Sequence, residues 1–303
     1  MGDLAATRFT RRLIATLDAD IVHGHGAKGG AYARLAADTA ARRAYYTPHG
    51  GALHYAPTSL QGRVFMALEQ RLARTTSGLI FESAFSRDVY RRQVGSNGVA
   101  QRVIPNGLLD AEFVPHAPEP DAADFLFIGE LRWLKGVDVL LNALAQRAER
   151  YPNRPCRTLI VGDGPDRAAF EALTSELKLE ASVTFTGAQP AQDMFDRARC
   201  LVMPSRAESF PYVILETAAR GMPMISTDVG GIPEITGPTP VRLIAPDQSG
   251  ALCDALVSFL DTPQDFSAAA SHLQERTRTL FSVDVMTDSV LDFYARAEKQ
   301  QAA

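Results

Sequence analysis

The chain has 303 residues, enough for two domains of ordinary size, and its 46% hydrophobic and 22% charged residues are typical of a globular protein. No apolar stretch approaches the roughly 18 residues of a membrane-spanning helix, and the N-terminal MGDLAATRFTRR lacks the apolar core of a signal peptide, so neither membrane spanning nor secretion is indicated. The three cysteines are scattered and without metal-ligand spacing, which is typical of reduced thiols in a cytoplasmic protein and predicts no bound metal.

The net charge of −4 hides an uneven distribution along the chain. Residues 1–112 carry 14 Lys and Arg against 9 Asp and Glu, a net charge of +5, whereas the remainder carries 17 against 26, a net charge of −9. A single basic pair such as Arg11-Arg12 is usually part of a solvated helical face, but the group suggests a half that meets an anionic acceptor or the inner, anionic face of a membrane. The sequence has no aromatic residues interleaved with the basic ones and no nucleic-acid-binding motif, so we expect no nucleic-acid partner.

Strand and helix patterns alternate through the first 112 residues. Helical spacing of apolar residues covers 4–17, 29–41, 60–74 and 85–94, and the runs ADIVHGHG, AYYTPHGG, SGLIFES and RVIPNG predict strands. Ser83 stands where a helix N-cap would lie. The alternation predicts parallel βαβ units.

A second alternation follows the segment Phe113–Ala123, whose three prolines predict a linker. Strands are predicted at 124–130, 157–164, 182–187, 200–203, 222–227 and 241–246, and helices at 137–150, 167–177, 191–197, 211–220, 250–260, 266–280 and 283–299. The sequence therefore predicts an α/β fold with two Rossmann-like parallel-sheet domains.

The stretch from Cys200 to Gly237 carries the strongest candidate for a ligand site. Its strand, polar loop and helix follow the arrangement in which an open α/β sheet binds ligands at the carboxyl ends of its strands. We predict that Pro211 is the first helical residue and that Gly221 ends the helix. Glu208 then lies in the loop at the strand end, and Glu216 lies one turn inside the helix.

The first turn of that helix is a candidate anion site. We expect the N–H groups of Tyr212, Val213 and Ile214 to be without intrahelical acceptors, and the helix dipole favours negative charge beside them. A lone glutamate is by default a solvated surface acid, so Glu208 and Glu216 by themselves leave structural and functional interpretations open.

A second candidate is the loop GELRWLKG at residues 129–136, which follows a strand and precedes a helix. A cation at a helix N-terminus gains nothing from the dipole, which favours anions there. A bound anion explains the placement of Lys135 better than a surface role does, and Arg132 is a weaker candidate for the same anion.

Two further motifs allow two interpretations each. Gly162 and Gly164 end a strand, where a tight turn explains them as well as a nucleotide does. His49 ends another strand in the sequence Pro-His-Gly. A lone histidine is usually structural, but the position at a strand end supports a functional role to about the same degree.

The segment PSRAESFPYVILETAARGMPMISTDVGGIPEI resembles the donor-site signature of retaining nucleotide-sugar glycosyltransferases of family four, which have the GT-B fold of two Rossmann-like domains facing across a cleft. The matching residues are Glu208, Phe210, Glu216, Gly221, Pro223, Gly230, Gly231 and Glu234. Three positions depart from the pattern: Pro211 stands where glycine is commonest, Thr217 replaces alanine, and Glu130 occupies the customary arginine position.

The resemblance implies roles for residues throughout a donor site. It implies that Glu208 contacts the transferred sugar, that Glu216 binds the ribose hydroxyls, and that Lys135 with Arg132 grips the diphosphate. The other residues implied are His49 facing the sugar, Gly162, Gly164 and Gln189 near the base, and Phe210, Tyr212 and Val213 in the donor pocket.

The activity implied is that of a hexosyltransferase, which moves a sugar from a UDP- or GDP-sugar to a glycan or lipid-linked acceptor with retention, as in polysaccharide biosynthesis. The nucleotide-sugar is a co-substrate, no cofactor is implied, and protein cations take the place of a metal. Residues 1–112 would form the acceptor-side domain, 113–123 the linker and 124–282 the donor-binding domain, with the helix at 283–303 packing back on the first domain.

A first domain of this family begins with a strand, a Gly-Gly loop and a helix, and none of these precedes Asp20. We therefore expect a truncated first domain with four strands. Two alternatives follow: a catalytically impaired nucleotide-sugar-binding subunit, and a nucleotide-sugar epimerase of the same fold.

Overall fold

Two parallel β-sheets organise the chain in the computed structural model, which describes residues 2–38, 42–49, 58–95 and 98–301. One compact unit consists of residues 1–106 with 284–303, and the other of residues 107–283. The predicted α/β class with two parallel sheets is confirmed.

The first unit has a sheet in which four parallel strands follow one another in the order β1-β2-β3-β4. The strands are β1 Ile21–His25, β2 Arg43–Thr47, β3 Gly78–Phe81 and β4 Ala100–Val103, and the helices are α1 Asp3–Leu17, α2 Gly26–Asp38, α3 Leu60–Ala73, α4 Ala84–Gln93 and α11 Val283–Gln301. Ser83 caps α4 as predicted, because its hydroxyl oxygen accepts the N–H of Ser86 at 3.1 Å. Gly50 and Gly51, predicted to end the second strand, lie outside the described residues, as do the last three residues of the helix predicted over 29–41.

A buried ion pair joins α3 to α2 within the first unit. The Arg34 guanidinium of α2 donates to both carboxylate oxygens of Glu69 at 2.9 and 2.7 Å, and the two side chains are 0% and 1% exposed. Arg34 also lies over the Tyr46 ring, and the Tyr90 hydroxyl donates to Glu69. Because a buried charge is tolerated only with a partner and further hydrogen bonds, this network determines which face of α3 turns inward.

The last helix, α11, packs on the sheet of the first unit. Phe293 lies among Tyr45, Ile80 and Ile104 in one buried cluster, and its ring meets the Tyr45 ring edge-on at a centroid distance of 5.8 Å.

The second unit has six parallel strands in the order β10-β9-β8-β5-β6-β7. The strands are β5 Ala123–Ile128, β6 Thr158–Val161, β7 Val183–Gly187, β8 Ala198–Met203, β9 Met224–Thr227 and β10 Leu243–Ile244, and the helices are α5 Val137–Arg150, α6 Arg167–Glu176, α7 Tyr212–Arg220, α8 Ile232–Thr236, α9 Ser249–Asp261 and α10 Pro263–Leu280. From β5 the chain builds outward through β6 and β7, and then returns to the other side of β5 to add β8, β9 and β10. The strand order therefore reverses between β5 and β8, which is the place where sheets of this type bind ligands.

Both faces of this sheet are covered. Phe125 and Phe127 of β5 belong to one buried cluster, and Leu126 between them belongs to a second cluster on the opposite face. This alternation explains why the strands read as continuous apolar runs instead of alternating with polar residues.

The structure corrects several local predictions. Helix α7 begins at Tyr212, not at Pro211, because the extended ψ of 126° at Pro211 makes it the N-cap. The helix predicted over 191–197 is two 3₁₀ turns, Ala191–Asp193 and Phe195–Arg197, and α8 was not predicted because its five residues are too few for a periodic pattern.

The proline-rich segment predicted as a linker groups with the second unit. The His116 N–H donates to the Arg220 carbonyl and the Glu119 N–H to the Asp196 carbonyl, both at 2.8 Å. Within the described residues no helix is long and apolar enough to cross a membrane.

Candidate active site

An ion pair bridges the ends of β5 and β8, at the point where the strand order of the second unit reverses. Lys135 ends a 3₁₀ turn that follows β5, and Glu208 lies in the loop that follows β8. Their Nζ and Oε1 atoms are 2.7 Å apart, and the side chains are 24% and 7% exposed. The sequence placed both residues at strand ends, and the structure brings them into contact.

The Glu208 loop is held from two sides. The Ser205 hydroxyl donates to the same Oε1 atom at 2.7 Å, while the Thr227 hydroxyl at the end of β9 donates to the Ser205 carbonyl at 2.7 Å. Gly230 has a φ of 59°, and a Cβ built on it would lie 1.6 Å from the Glu208 carbonyl oxygen. Only glycine allows this approach, so the Glu208 backbone is fixed by the loop after β9.

The Lys135 turn is held by Arg206. The Arg206 N–H donates to the Leu134 carbonyl at 2.8 Å, and its guanidinium binds both carboxylate oxygens of Asp138 at 2.8 and 2.7 Å while lying over the Trp133 ring. The cation of Arg206 is therefore engaged in joining the two loops, through contacts that involve no ligand.

Sequence reasoning missed both Ser205 and Arg206. Ser205 precedes Glu208 by three residues, and this short spacing was the one local signal for the hydrogen bond between their side chains. Arg206 contacts a residue 68 positions away, so the local sequence around it gave no signal of this role.

Glu216 lies in α7, as predicted, and is not joined to the Lys135–Glu208 pair by any hydrogen bond that the described residues make. The Gln192 amide donates to its Oε1 at 3.3 Å. Partial burial, and to a lesser degree the charge of Glu112, raise the pKa of the Glu216 carboxyl, although Gln192 and Arg220 act in the opposite direction. This carboxylate is partly withdrawn from water and has few hydrogen-bond donors beside it. It is therefore suited to accept hydrogen bonds from the hydroxyl groups of a ligand.

Arg132 stays outside the cluster. Its side chain is 55% exposed and forms an ion pair with Glu130 at 3.6 Å. The carboxylate at the customary arginine position therefore engages the arginine that was a candidate to replace it.

The two glycines after β6 allow neighbouring loops to approach one another closely. Gly162 has a φ of 142°, and an added Cβ would lie 1.9 Å from the Gly129 carbonyl oxygen after β5. Gly164 sits beside the backbone of Leu131. The packing of neighbouring loops thus accounts for both glycines, and Gln189 is exposed in the loop after β7.

The residues around the start of α7 divide between core and surface. Phe210 is buried and packs edge-on against Phe281, Val213 packs on the core, and Tyr212 is about half exposed. The prediction that the Ile214 N–H is unpaired is wrong, because it donates to the Pro211 carbonyl at 3.2 Å in a bond that tightens the first turn.

His49 belongs to a group of three histidines in the first unit. It follows β2 with a left-handed φ of 49°, and its Nε2 lies 2.8 Å from Nδ1 of His25. The His23 ring lies 4.3 Å from the His25 ring and is hydrogen-bonded to Thr47 and Tyr294. Burial and the neighbouring histidines lower the pKa of His23 to about 4, and they also lower that of His25.

Comparison with known proteins accounts for both units. The model for glycosyl transferases group 1 matches residues 122–262, and the model for the glycosyl transferase 4-like domain matches residues 1–107. The chain belongs to glycosyltransferase family four.

Relatives in this family differ in what their names say they act on. The chain is 30% identical over 199 residues to the phosphatidylinositol N-acetylglucosaminyltransferase gpi3 subunit of Schizosaccharomyces pombe, 36% over 137 residues to the D-inositol 3-phosphate glycosyltransferase of Corynebacterium urealyticum, and 28% over 240 residues to the glycogen synthase of Mycobacterium tuberculosis. These matches cover 63%, 42% and 77% of the chain but only 43%, 30% and 57% of the relatives.

Solved structures of the GT-B fold superimpose on nearly the whole chain. The sucrose-phosphate synthase of Thermosynechococcus elongatus matches with a TM-score of 0.81 at 23% identity, covering 97% of this chain and 77% of that one. The Anabaena protein HepE, solved with UDP-glucose, matches with a TM-score of 0.82 at 20% identity, covering 96% and 82%. These likenesses confirm the GT-B fold.

We expect Glu216→Gln to raise the melting temperature at neutral pH. Because folding raises the pKa of this carboxyl, its contribution to stability is fully present below the pKa of the unfolded chain and is lost as the pH rises through the folded pKa. Glutamine avoids that loss, so the gain should be present at neutral pH and vanish on acidification, in calorimetric scans from about pH 8 to about pH 4. The exposed Glu180→Gln is the control and should show no such pH-dependent gain. A Glu216→Gln chain less stable than wild type at neutral pH would contradict the effect of burial.

Proposed function

We propose that the chain binds a UDP- or GDP-sugar at the crevice between β5 and β8 and transfers the sugar, with retention, to a glycan or lipid-linked acceptor. The observation that carries the proposal is the Lys135–Glu208 pair at the reversal of the strand order. A carboxylate and an ammonium side by side match the two parts of a sugar diphosphate. The sugar hydroxyls can donate hydrogen bonds to the carboxylate, and the phosphate oxygens can accept them from the ammonium.

Lys135 is suited to hold the diphosphate. An ammonium has three donors, and one of them is directed to Glu208, which leaves two for phosphate oxygens. Its side chain is 24% exposed, so it is not closed off from a ligand.

Glu208 is suited to orient the sugar. Its Oε1 atom accepts from both Lys135 and Ser205, so the carboxylate is held in place and its remaining lone pairs can accept sugar hydroxyls. Glu216 would take the ribose hydroxyls, whose donation would stabilise a carboxylate that burial now disfavours.

During the proposed reaction, positive charge develops on the sugar ring and negative charge on the departing diphosphate. The bond from the anomeric carbon to the diphosphate breaks, a bond to the acceptor oxygen forms on the same face, and the acceptor proton passes to the departing diphosphate. Lys135 neutralises the charge that grows on that diphosphate, and preorganised electrostatic stabilisation of this kind commonly contributes more to catalysis than any other effect. The scheme requires no cofactor, and no metal ion takes part in it.

The names of the relatives support UDP as the first nucleotide to test, since HepE was solved with UDP-glucose. They support no single acceptor, because they name phosphatidylinositol, inositol 3-phosphate and glycogen. Polysaccharide biosynthesis and lipid glycosylation are therefore both within the proposal.

We expect UDP or GDP, and their sugars, to bind with micromolar-to-millimolar Kd, and Glu216→Ala to weaken binding by about tenfold or more, since charge-assisted hydrogen bonds are lost. Titration calorimetry measures both, with the exposed Glu180→Ala as control. A wild-type chain that binds none of these ligands would refute the proposal, and binding unchanged in Glu216→Ala would refute the role of that residue. Donor binding without sugar transfer would favour the binding-subunit alternative, and a new nucleotide-sugar formed without an acceptor would favour the epimerase.

A membrane-bound acceptor has a matching surface on α3. Leu60, Val64 and Leu68 recur every fourth residue and are 77%, 62% and 43% exposed, while Arg63 and Arg71 are exposed beside them. The acid of this helix, Glu69, is buried with Arg34, so the outer face is apolar and cationic without an exposed carboxylate. Such a face is complementary to anionic lipid, and we propose that α3 rests on the membrane surface.

We expect the chain to sediment with phosphatidylglycerol vesicles but not with phosphatidylcholine vesicles, and the binding to weaken with salt. Replacing both Leu60 and Val64 by serine should lower the partition coefficient by about tenfold or more, because two apolar side chains no longer enter the interface. Leu280→Ser, at an exposed position of the second unit, is the control and should change nothing. Equal binding to both vesicles, or a solution dimer lost in the double variant, would contradict the lipid assignment.

A further inference from the structure

The second unit contains a cavity of about 130 Å³ at the amino ends of β6 and β7. Among its lining residues, Arg147 lies in the last turn of α5, Cys156 lies two residues before β6, and Ser182 lies directly before β7. The proposed donor site lies at the opposite, carboxyl ends of the strands, so it does not account for this cavity. The volume is well below the roughly 300–1,000 Å³ of pockets for drug-sized molecules and suits a group of a few atoms.

Arg147 is the residue of this cavity whose hydrogen bonds the fold leaves unmade. It is 4% exposed, and its Nε atom is closed off from solvent without a partner. The two terminal nitrogens keep accessible surface, and within the described part of the chain they form no hydrogen bond or ion pair either. The end of a helix favours a cation, but Arg147 donates to none of the last carbonyls of α5. Because a buried charge without a partner is costly, its position in a cavity indicates a ligand that supplies acceptors and negative charge.

The surroundings of the cavity do not supply that negative charge. Its lining, all of which the structure describes, includes no carboxylate. Burial raises the pKa of the Cys156 thiol, although the neighbouring guanidinium acts in the opposite direction, so the thiol is neutral at physiological pH. In α9, which packs on α5, Asp261 forms an ion pair with Arg154 and Asp254 forms one with Arg150. The buried guanidinium is therefore left without a counter-charge.

We propose that this cavity binds the phosphate group of a small ligand, either inorganic phosphate or a phosphate monoester. The two terminal nitrogens of Arg147 donate to two phosphate oxygens, in the bidentate geometry that a planar guanidinium favours. Arg154 adds positive charge, and Tyr151 and Ser182 contribute hydroxyl groups to the lining. Phosphate suits the cavity better than a carboxylate does, because two cations line it and a phosphate monoester carries a charge of about −1.5 to −2 at neutral pH.

Helix α5 separates this cavity from the proposed donor site. The helix begins at Val137, two residues after Lys135, and Arg147 follows ten residues later. At 1.5 Å per residue, the two ends of this segment are about 15 Å apart along the helix axis. The proposal therefore does not rest on the proposed function, and the two sites can be measured separately.

Titration calorimetry in phosphate-free buffer tests the site with inorganic phosphate and glycerol 3-phosphate as probes. The titrations use the Lys135→Met chain, because its proposed donor site no longer has an ammonium that binds phosphate. We expect at least one probe to bind with a Kd of about 1 mM or lower, and the further change Arg147→Met to weaken that Kd by about tenfold or more. The matched control is Arg150→Met in the same background, which removes an exposed arginine of the same turn that pairs with Asp254 and should leave the Kd unchanged.

The stability of Arg147→Met separates a binding role from a structural one. Methionine keeps the apolar part of the side chain and removes a buried charge that has no partner, so this variant should fold and melt no lower than wild type in phosphate-free buffer. Added phosphate should raise the Tm of wild type by about 2 °C or more and leave that of Arg147→Met unchanged. A lower Tm for Arg147→Met together with an unchanged Kd for both probes would assign Arg147 a structural role and overturn the proposal.

The remaining outcomes distinguish this proposal from the proposed function. If neither probe binds, or if acetate or chloride binds as tightly as phosphate, the assignment to a phosphate group is wrong. UDP binding, measured in Arg147→Met with Lys135 intact, should equal that of wild type. Phosphate binding that depends on Arg147, in a chain whose wild type binds neither UDP nor GDP, would support the cavity and refute the donor site. UDP binding without any Arg147-dependent phosphate binding would do the reverse.

Discussion

The proposed donor site depends on holding an ammonium and a carboxylate 2.7 Å apart where the strand order of the second sheet reverses. This arrangement is unfavourable by itself, because Lys135 precedes helix α5, whose N-terminus favours anions, and Glu208 is largely withdrawn from water. Each charge is stabilised by the other, and the loops that carry them are fixed by contacts that do not involve the pair. Such a pair is a poor way to gain stability and a good way to prepare a site for a ligand that has both phosphate oxygens and hydroxyls.

The acids withdrawn from water in this chain have their hydrogen bonds completed to different degrees. In the first unit, Arg34 and Glu69 satisfy one another completely, with Tyr90 adding a further donor, and the result is structural. Glu82 in the same unit is buried, and its Oε2 has no hydrogen-bond partner among the residues that the structure describes. Glu216 in the second unit is half-buried, and its pKa is raised. Residue type alone therefore does not reveal whether an acid of this fold has its hydrogen bonds completed by the protein.

The sequence predicted the fold well because its signals are local. Buried parallel strands read as apolar runs, Ser83 and Gly221 mark helix ends, and the helix over 137–150 has the bounds observed. The strand-end rule and the family resemblance together also predicted that Lys135 and Glu208 belong to one site. Local patterns failed where contacts join distant segments, as for Arg206 with Asp138 and Gly230 with Glu208.

The central claim is that Lys135 meets the diphosphate of the donor, and a comparison of UDP with uridine tests it most directly. We expect Lys135→Met to weaken UDP binding by about tenfold or more, because a charge-assisted contact is lost, and to leave uridine binding unchanged, because uridine has no phosphate. Lys178→Met, at an exposed position of the same unit, should affect neither ligand. Equal losses for UDP and uridine in Lys135→Met, or no loss for either, would contradict the account.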